Sequence, residues 1–388
     1  MPTARYLPLV ARDTTEQHRA STPLELLFDL CFVVGVSQAG TRLHHSLSAG
    51  EIGHGIGSYL MLFFAIWWAW VNFTWFASAY DNDDVPYRLT TLVQITGALI
   101  LAAGVPRAFD NNDFTVVVIG YVVMRLAMVG QWLRAARSDP PRRRTALRFA
   151  IGITIVQVCW IARLWLPSNL AVASFLVLVL AELLVPIVAE HAEHTTWHAE
   201  HIAERYGLFT LIVLGESILA STTAVQTAFD TGLHTDSLLV LTGAGLLIVF
   251  GMWWLYFDRP GQDALSVISG FVWGYGHYLI FASAAAVGAG IVTNVDLDEH
   301  LGHLSRRGAA FAVAIPVAVY LVNVWWLHNR PAYALDGRSY SVVKAWALPA
   351  GAALILLAPL LPAALPIIAA IMVVLVVIKT AAAPVPAR

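Results

Sequence analysis

The sequence predicts an all-α integral membrane protein of about twelve transmembrane helices, arranged as two parallel six-helix repeats. Three observations carry this reading. The chain is short of charge, it is divided into long apolar runs, and its basic residues are unevenly shared between the loops. Of the 388 residues, 58% are hydrophobic and 12% charged, with a mean hydropathy of +0.69. Soluble domains carry about 25% charged residues, so a water-soluble fold of this length could not cover its surface, and lipid has to be the solvent.

A helix needs ~20 mostly apolar residues to cross the hydrocarbon core. Runs of that kind fall at 24–45, 56–79, 89–107, 114–135, 146–166, 170–190, 207–228, 237–257, 269–293, 308–328, 344–361 and 363–380. Pro359, Pro362 and Pro366 punctuate the last two, which predicts either a tight hairpin or a re-entrant break there. The first twenty-odd residues hold Arg5, Arg12, Asp13, Glu16 and Arg19 and lack the apolar core of a cleavable leader. The expected organisation is therefore a cytoplasmic segment at 1–20, a first half at 21–190, a connector at 191–206, a second half at 207–380 and a cytoplasmic tail at 381–388.

Orientation follows from the bias of Lys and Arg toward the cytoplasmic side. With a cytoplasmic N-terminus, the loop between the fourth and fifth spans lies inside. It carries Arg134, Arg137, Arg142, Arg143, Arg144 and Arg148, the densest basic cluster in the chain. Other inside segments hold Arg88, Arg205, Arg259, Arg330, Arg338 and Lys344, and Lys379 and Arg388 flank the tail. Outside segments hold Arg42, Arg107, Arg163, Arg306 and Arg307. Both termini are thus expected in the cytoplasm. The Arg cluster would set topology and touch anionic lipid heads. Tryptophans near span ends, Trp132, Trp165, Trp197, Trp253, Trp325 and Trp326, suit an interfacial belt, whereas Trp67, Trp68 and Trp70 sit deeper.

An internal repeat is suggested by spacing. Asp29 and Glu216 are 187 positions apart, as are Trp67 and Trp254, Thr90 and His277, and Arg143 and Arg330. Halves of six spans each start on the same side, which makes the repeat parallel. Chance coincidence among apolar helices is the alternative.

Two stretches carry a family likeness. One is Ser21-Thr22-Pro23-Leu24-Glu25-Leu26-Leu27-Phe28-Asp29-Leu30-Cys31-Phe32-Val33. The other runs His201-Ile202-Ala203-Glu204-Arg205-Tyr206-Gly207-Leu208-Phe209-Thr210-Leu211-Ile212-Val213-Leu214-Gly215-Glu216-Ser217. With the Trp-rich second span and the acidic turn from Tyr80 to Asp84, they resemble the bacterial low temperature requirement A (LtrA) family over most of the chain. The resemblance implies a multi-pass bacterial membrane protein and leaves the mechanism open.

A charge near the bilayer centre costs at least ~2.5–3.5 kcal/mol on insertion scales, so each intramembrane ionisable residue needs a reason. Glu25 and Asp29 are spaced i, i+4 on one helix face. Two carboxylates that close in low dielectric do not both ionise readily, so one tends to keep a proton. Glu25 reads equally as a helix-start cap after Thr22 and Pro23. Glu216 lies near the midplane between small Gly215 and Ser217. Arg125 reaches a similar depth in the fourth span and is expected to pair with Asp29 or Glu216. His277 in the ninth span is a third candidate, either a proton relay or a packed polar residue. Asn72, Gln94, Gln157, Glu182 and Asn323 either line the same interior or bridge helices. The pattern reads as a substrate or ion site, or as ion pairs that fix packing.

His191, His194, His198 and His201 recur at steps that place them on one face of a connector helix. Strung along ~15 Å, four such residues cannot bind one metal. His194, His198 and His201 are at most partial candidates, each needing ligands from elsewhere. Cys31 and Cys159 lie in apolar runs without metal or redox spacing.

The expected function is a proton- or ion-coupled permease for a small molecule or ion, with Glu25, Asp29, Arg125, Glu216 and His277 in its site. The alternative is an intramembrane enzyme acting on lipid, with a metal at the histidine-rich connector. Membrane lipids are the expected partners, no cofactor is named, and the net charge of −2 does not favour nucleic acid. No nucleophile elbow, phosphate-binding glycine loop or dinucleotide fingerprint occurs.

Overall fold

The computed structural model describes residues 6–13, 19–230, 235–259, 261–298, 302–331 and 342–380. The expected tail at 381–388 and the charges at Arg5, Glu16, Arg338 and Arg388 lie outside the described residues. Those residues form helices and no strands. In order they are α1 (Pro23–Ser48), α2 (Ile52–Tyr80), α3 (Val85–Asn111), α4 (Thr115–Ser138), α5 (Arg143–Ala162), α6 (Ala171–Glu190) and α7 (Ala199–Asp230). Then come α8 (Thr235–Phe257), the short α9 (Gly261–Leu265), α10 (Gly270–Asp298), α11 (Arg306–Val324), α12 (Val342–Leu357) and α13 (Ala364–Thr380). Among the described residues, 11 helices are long and apolar enough to cross a membrane, and α13 is a shorter apolar twelfth. The protein is a multi-pass helical membrane protein.

Local chemistry accounts for where the helices start and stop. Pro23 opens α1, where its missing N–H costs nothing. Thr22 and Glu25 form a reciprocal cap: the Glu25 amide donates to Thr22 Oγ1 at 3.3 Å, and the Thr22 amide donates to Glu25 Oε2 at 2.8 Å. Asp84 caps α3 by accepting from the Tyr87 amide at 2.9 Å, and Asn112 ends that helix at φ 54°. Ser305 caps α11 through the Gly308 amide. Leu126, Val177 and Leu180 are among many large apolar side chains left exposed, as expected where lipid replaces water.

The chain divides into two compact units, Met1–Gln38 with Met61–Arg205, and Ala39–Leu60 with Tyr206–Arg388. In the first, α3 packs on α4, α4 on α5 and α5 on α6. In the second, α10 packs on α11, α11 on α12 and α12 on α13, with α8 against α13. The α3–α4 contact is backbone to backbone. A Cβ at Gly97 would lie 2.7 Å from the Gly120 carbonyl oxygen, and one at Gly104 would lie 2.7 Å from the Val117 nitrogen. Small residues let membrane helices approach this closely.

Two expectations change. The apolar run expected at 207–228 is the inner part of a longer helix that begins at Ala199, so Arg205 lies inside α7 rather than in a loop. The histidine stripe is broken: residues 191–198 form a turn and an extended connector, not one helical face. Glu190 causes the break locally. Its carboxylate accepts from the Thr195 amide at 3.2 Å and hydroxyl at 2.5 Å and approaches His194 at 3.1 Å, folding the chain back on the end of α6.

Candidate functional site

The first unit buries an ion cluster built on α1, α2 and α7. Arg205 stands between the two carboxylates that share a face of α1. Its Nε donates to Asp29 Oδ2 at 2.9 Å and its Nη2 to Asp29 Oδ1 at 2.6 Å, a bidentate fork. Its Nη1 donates to Glu25 Oε1 at 3.0 Å, and Nη2 also reaches the Thr74 hydroxyl at 3.4 Å. Trp70 donates its indole N–H to Asp29 Oδ1 at 2.6 Å. His201, one turn before Arg205, places Nε2 3.1 Å from Glu25 Oε1. All five polar side chains, Glu25, Asp29, Thr74, His201 and Arg205, have no exposed surface.

Glu25 carries both readings made from the sequence. One carboxylate oxygen caps α1 while the other faces Arg205 and His201. Arg205 places its positive charge between the two carboxylates that the spacing brings together, offsetting part of their repulsion.

A polar chain leads outward from this cluster. Arg19 lies 3.8 Å from both Glu25 and Asp81, and is held by the carbonyls of Ala77 and Ser78 at the end of α2. Half-buried Arg12 reaches the Asp81 carbonyl at 3.4 Å. Burial, with Glu25 nearby, pushes the Asp81 carboxyl from an ordinary 3.8 up to about 6, against the pull of Arg19. Burial also pulls the Arg19 guanidinium below its usual range. At the same end, burial raises the Asp84 carboxyl, but the Arg134 ion pair and the amides of Leu7 and Tyr87 outweigh it and hold the group low. Arg142 reaches the His194 carbonyl there, and Thr145 that of Glu193. Much of the basic cluster therefore ties the N-terminal segment, the acidic turn and the connector to one end of the unit.

Arg125 does not pair with Asp29 or Glu216. It bonds Glu182 at 2.8 Å and the Tyr121 hydroxyl at 2.9 Å. Glu182 also accepts the indole N–H of Trp68 at 2.8 Å and of Trp160 at 3.1 Å. The partner is local: α6, which carries Glu182, is two helices from α4 in a consecutive packing order, within reach of an inward guanidinium. This second cluster satisfies the carboxylate fully, which fits a structural tie.

In the second unit, Glu216 is half-buried, and its carboxylate makes no hydrogen bond or ion pair with any described residue. A Cβ at its neighbour Gly215 would meet open space, whereas Ser217 is packed beneath Gly288. His277 is fully buried. Its Nδ1 lies 2.8 Å from the Trp273 carbonyl, so that nitrogen carries the proton, and Nε2 lies 3.1 Å from the Tyr256 hydroxyl and 3.2 Å from His328 Nε2. A π-helical stretch, Trp325–Asn329, extends α11 and presents His328.

Of the helix-bridging candidates, Gln94 bonds Gln131 across α3 and α4, and Asn72 and Asn323 bond carbonyls of their own helices. Trp132 stacks on Phe149 at 4.1 Å and is buried rather than interfacial. No three His, Cys, Asp or Glu side chains among the described residues converge as metal ligands. His194 is exposed beside Glu190, the His198 amide bonds the Ser78 hydroxyl, and His201 faces Glu25.

Sequence reasoning missed Arg205 and Glu182 as charge partners. The signal for Arg205 was present in its i, i+4 spacing from His201, which places both on one face once the helix starts at 199. Glu182 had a weaker signal, a lone acid in an apolar span.

A family model described as bacterial low temperature requirement A protein (LtrA) matches residues 20–381. An uncharacterized protein of Rhizobium meliloti (strain 1021) is 28% identical over 344 residues, covering 81% of this chain and 78% of the relative.

Proposed function

The chain belongs to the LtrA family, and from that premise we propose that it is a proton-coupled permease of the bacterial inner membrane, with the cluster around Arg205 as its coupling site. One observation carries the reading. Three buried carboxylates, Glu25, Asp29 and Asp81, share two buried guanidiniums, Arg19 and Arg205, with an imidazole beside them. Buried charge of one sign is costly, so the cluster favours taking up one proton, and Asp81, whose carboxyl is pushed up to about 6, is the group that holds it, with His201 beside Glu25 in the interior. Both ring nitrogens of His201 lack a well-aligned hydrogen bond, although Nε2 stands 3.1 Å from Glu25. Asp81, tied to Glu25 through Arg19, which lies 3.8 Å from each, is the outer carboxylate from which that proton exchanges with water.

The dense arginines at the same end of the unit support a cytoplasmic position for this end, and hence for the N-terminal segment. Six spans per half, with the third, fourth, fifth and sixth helices packed consecutively in each unit, support the parallel repeat. The coupling role differs from the sequence expectation in its residues: Glu25 and Asp29 stay, Arg205 and His201 join them, and Arg125 serves packing.

The test is proton flux in proteoliposomes carrying an entrapped pH indicator, driven by a potassium diffusion potential. Wild type is expected to acidify the lumen, and Glu25→Gln and Asp29→Asn to slow it at least tenfold while eluting as folded protein in detergent. Flux at the wild-type rate in both variants, or none in wild type under any gradient, overturns the proposal.

A further inference from the structure

In the second unit, α12 and α13 are joined by the 3-10 turn Ala358–Leu360 and a bend containing Pro362. This hairpin is the tight proline turn anticipated from the sequence, and its residues line one groove together with the end of α10 and the start of α11.

The groove has a volume of about 690 Å³, within the range of pockets that hold small ligands. Its walls are apolar, from Val240 and Leu241 on α8, Leu297 on α10, and Leu361, Pro362 and Leu365 at the hairpin. Its rim is not. Arg306 and Arg307 stand there on the first turn of α11, with Asp298 and Ser237 opposite, joined at 2.5 Å. Among the described residues that line the groove, two guanidiniums face one carboxylate. The N-terminal end of α11, capped by Ser305, adds a partial positive charge.

We propose that this groove binds one phospholipid with a single negative headgroup charge, of the phosphatidylglycerol type. The phosphodiester lies against Arg306 and Arg307, and an acyl chain lies along Leu241, Leu361 and Leu365. Three features select that occupant. Guanidiniums suit phosphate oxygens, since their fork matches two at once. Two arginines side by side on the rim favour an anionic phosphodiester over a headgroup that carries its own cation. The apolar floor suits an acyl chain, and leaving that space empty would forfeit packing. Asp298 and Ser237 are positioned to hydrogen-bond headgroup hydroxyls.

The experiment uses the full chain, purified and reconstituted in nanodiscs with equal phosphatidylglycerol and phosphatidylcholine, then released for native mass spectrometry. About one phosphatidylglycerol is expected to remain bound. Arg306→Ala with Arg307→Ala is expected to lower its retention at least fivefold, and Ala363→Trp, which fills the groove beneath an intact rim, to lower it similarly. In detergent, phosphatidylglycerol is expected to raise the thermal midpoint of wild type, and inorganic phosphate alone to leave it unchanged. Equal retention of both lipids, full retention by the double variant, or an equal shift from inorganic phosphate overturns the proposal. The last outcome would assign the arginines to a free anion.

Discussion

Arg205 is held by four acceptor contacts with no exposed surface, and removing it would strand Glu25 and Asp29 together in low dielectric. Breaking a buried ion pair from one side costs about 3–5 kcal/mol, because the remaining charge is left uncompensated. Arg205→Met is therefore expected to lower the thermal midpoint in detergent far more than Asp29→Asn does. The combined variant should recover part of the loss. Equal damage from the single and the double variant would remove charge compensation as the cause. Asp81 gives a pH signature. Its folded-state value of about 6 lies above the ordinary 3.8, so the protonated acid favours the fold. That contribution is complete below about 3.8 and is lost as pH rises through about 6. Thermal midpoints measured across that window should fall with rising pH in wild type and stay flatter in Asp81→Asn. A flat wild-type profile would place Asp81 outside the linkage.

The α3–α4 pair depends on the absence of side chains at Gly97, Gly104 and Gly120, where an added Cβ meets backbone atoms of the facing helix, joined at Gly97 by Met124 Cγ. Gly130, on the same α4, faces open space. Gly120→Leu should force the helices apart, lowering the yield of monodisperse protein severalfold, whereas Gly130→Leu should be tolerated. Comparing the two by fluorescence-detected size exclusion checks this, and equal yields would show that the close approach is dispensable. In the second unit the π-helical stretch after α11 does an analogous positional job. The extra residue in the turn brings His328 against His277, in a chain of polar contacts that ends on the Trp273 carbonyl.

Orientation belongs to the whole molecule, since it is set by the sum of loop charges and by no single contact. In a background with Cys31 and Cys159 replaced by Ser, Asp113→Cys, between α3 and α4, is expected to react with a membrane-impermeant maleimide in intact cells. His194→Cys, in the connector, is expected to react only after permeabilisation. The reverse pattern would invert the topology and place the basic end of the first unit outside. Coupled flux carries the second whole-molecule expectation: if the cluster exchanges its proton from one side at a time, the pH on that side alone should set the rate.

Much of the architecture was legible in the chain because hydropathy is local. Each span announces itself within its own ~20 residues, with no knowledge of its neighbours. The spans, the proline hairpin at 359–366 and the candidacy of Glu25 and Asp29 came from such local signals. The i, i+4 spacing was enough to bring those two carboxylates together. Pairing between helices is not local. Arg125 chose Glu182, and Arg205 reached Asp29 from 176 positions away, because partners in a bundle are selected by helix packing and rotation, to which hydropathy is blind. The start of α7 and the broken histidine stripe were hidden for a related reason. A helix end depends on which side chains compete for its backbone, and at residues 190–198 that competition was decided by Glu190 in the folded chain.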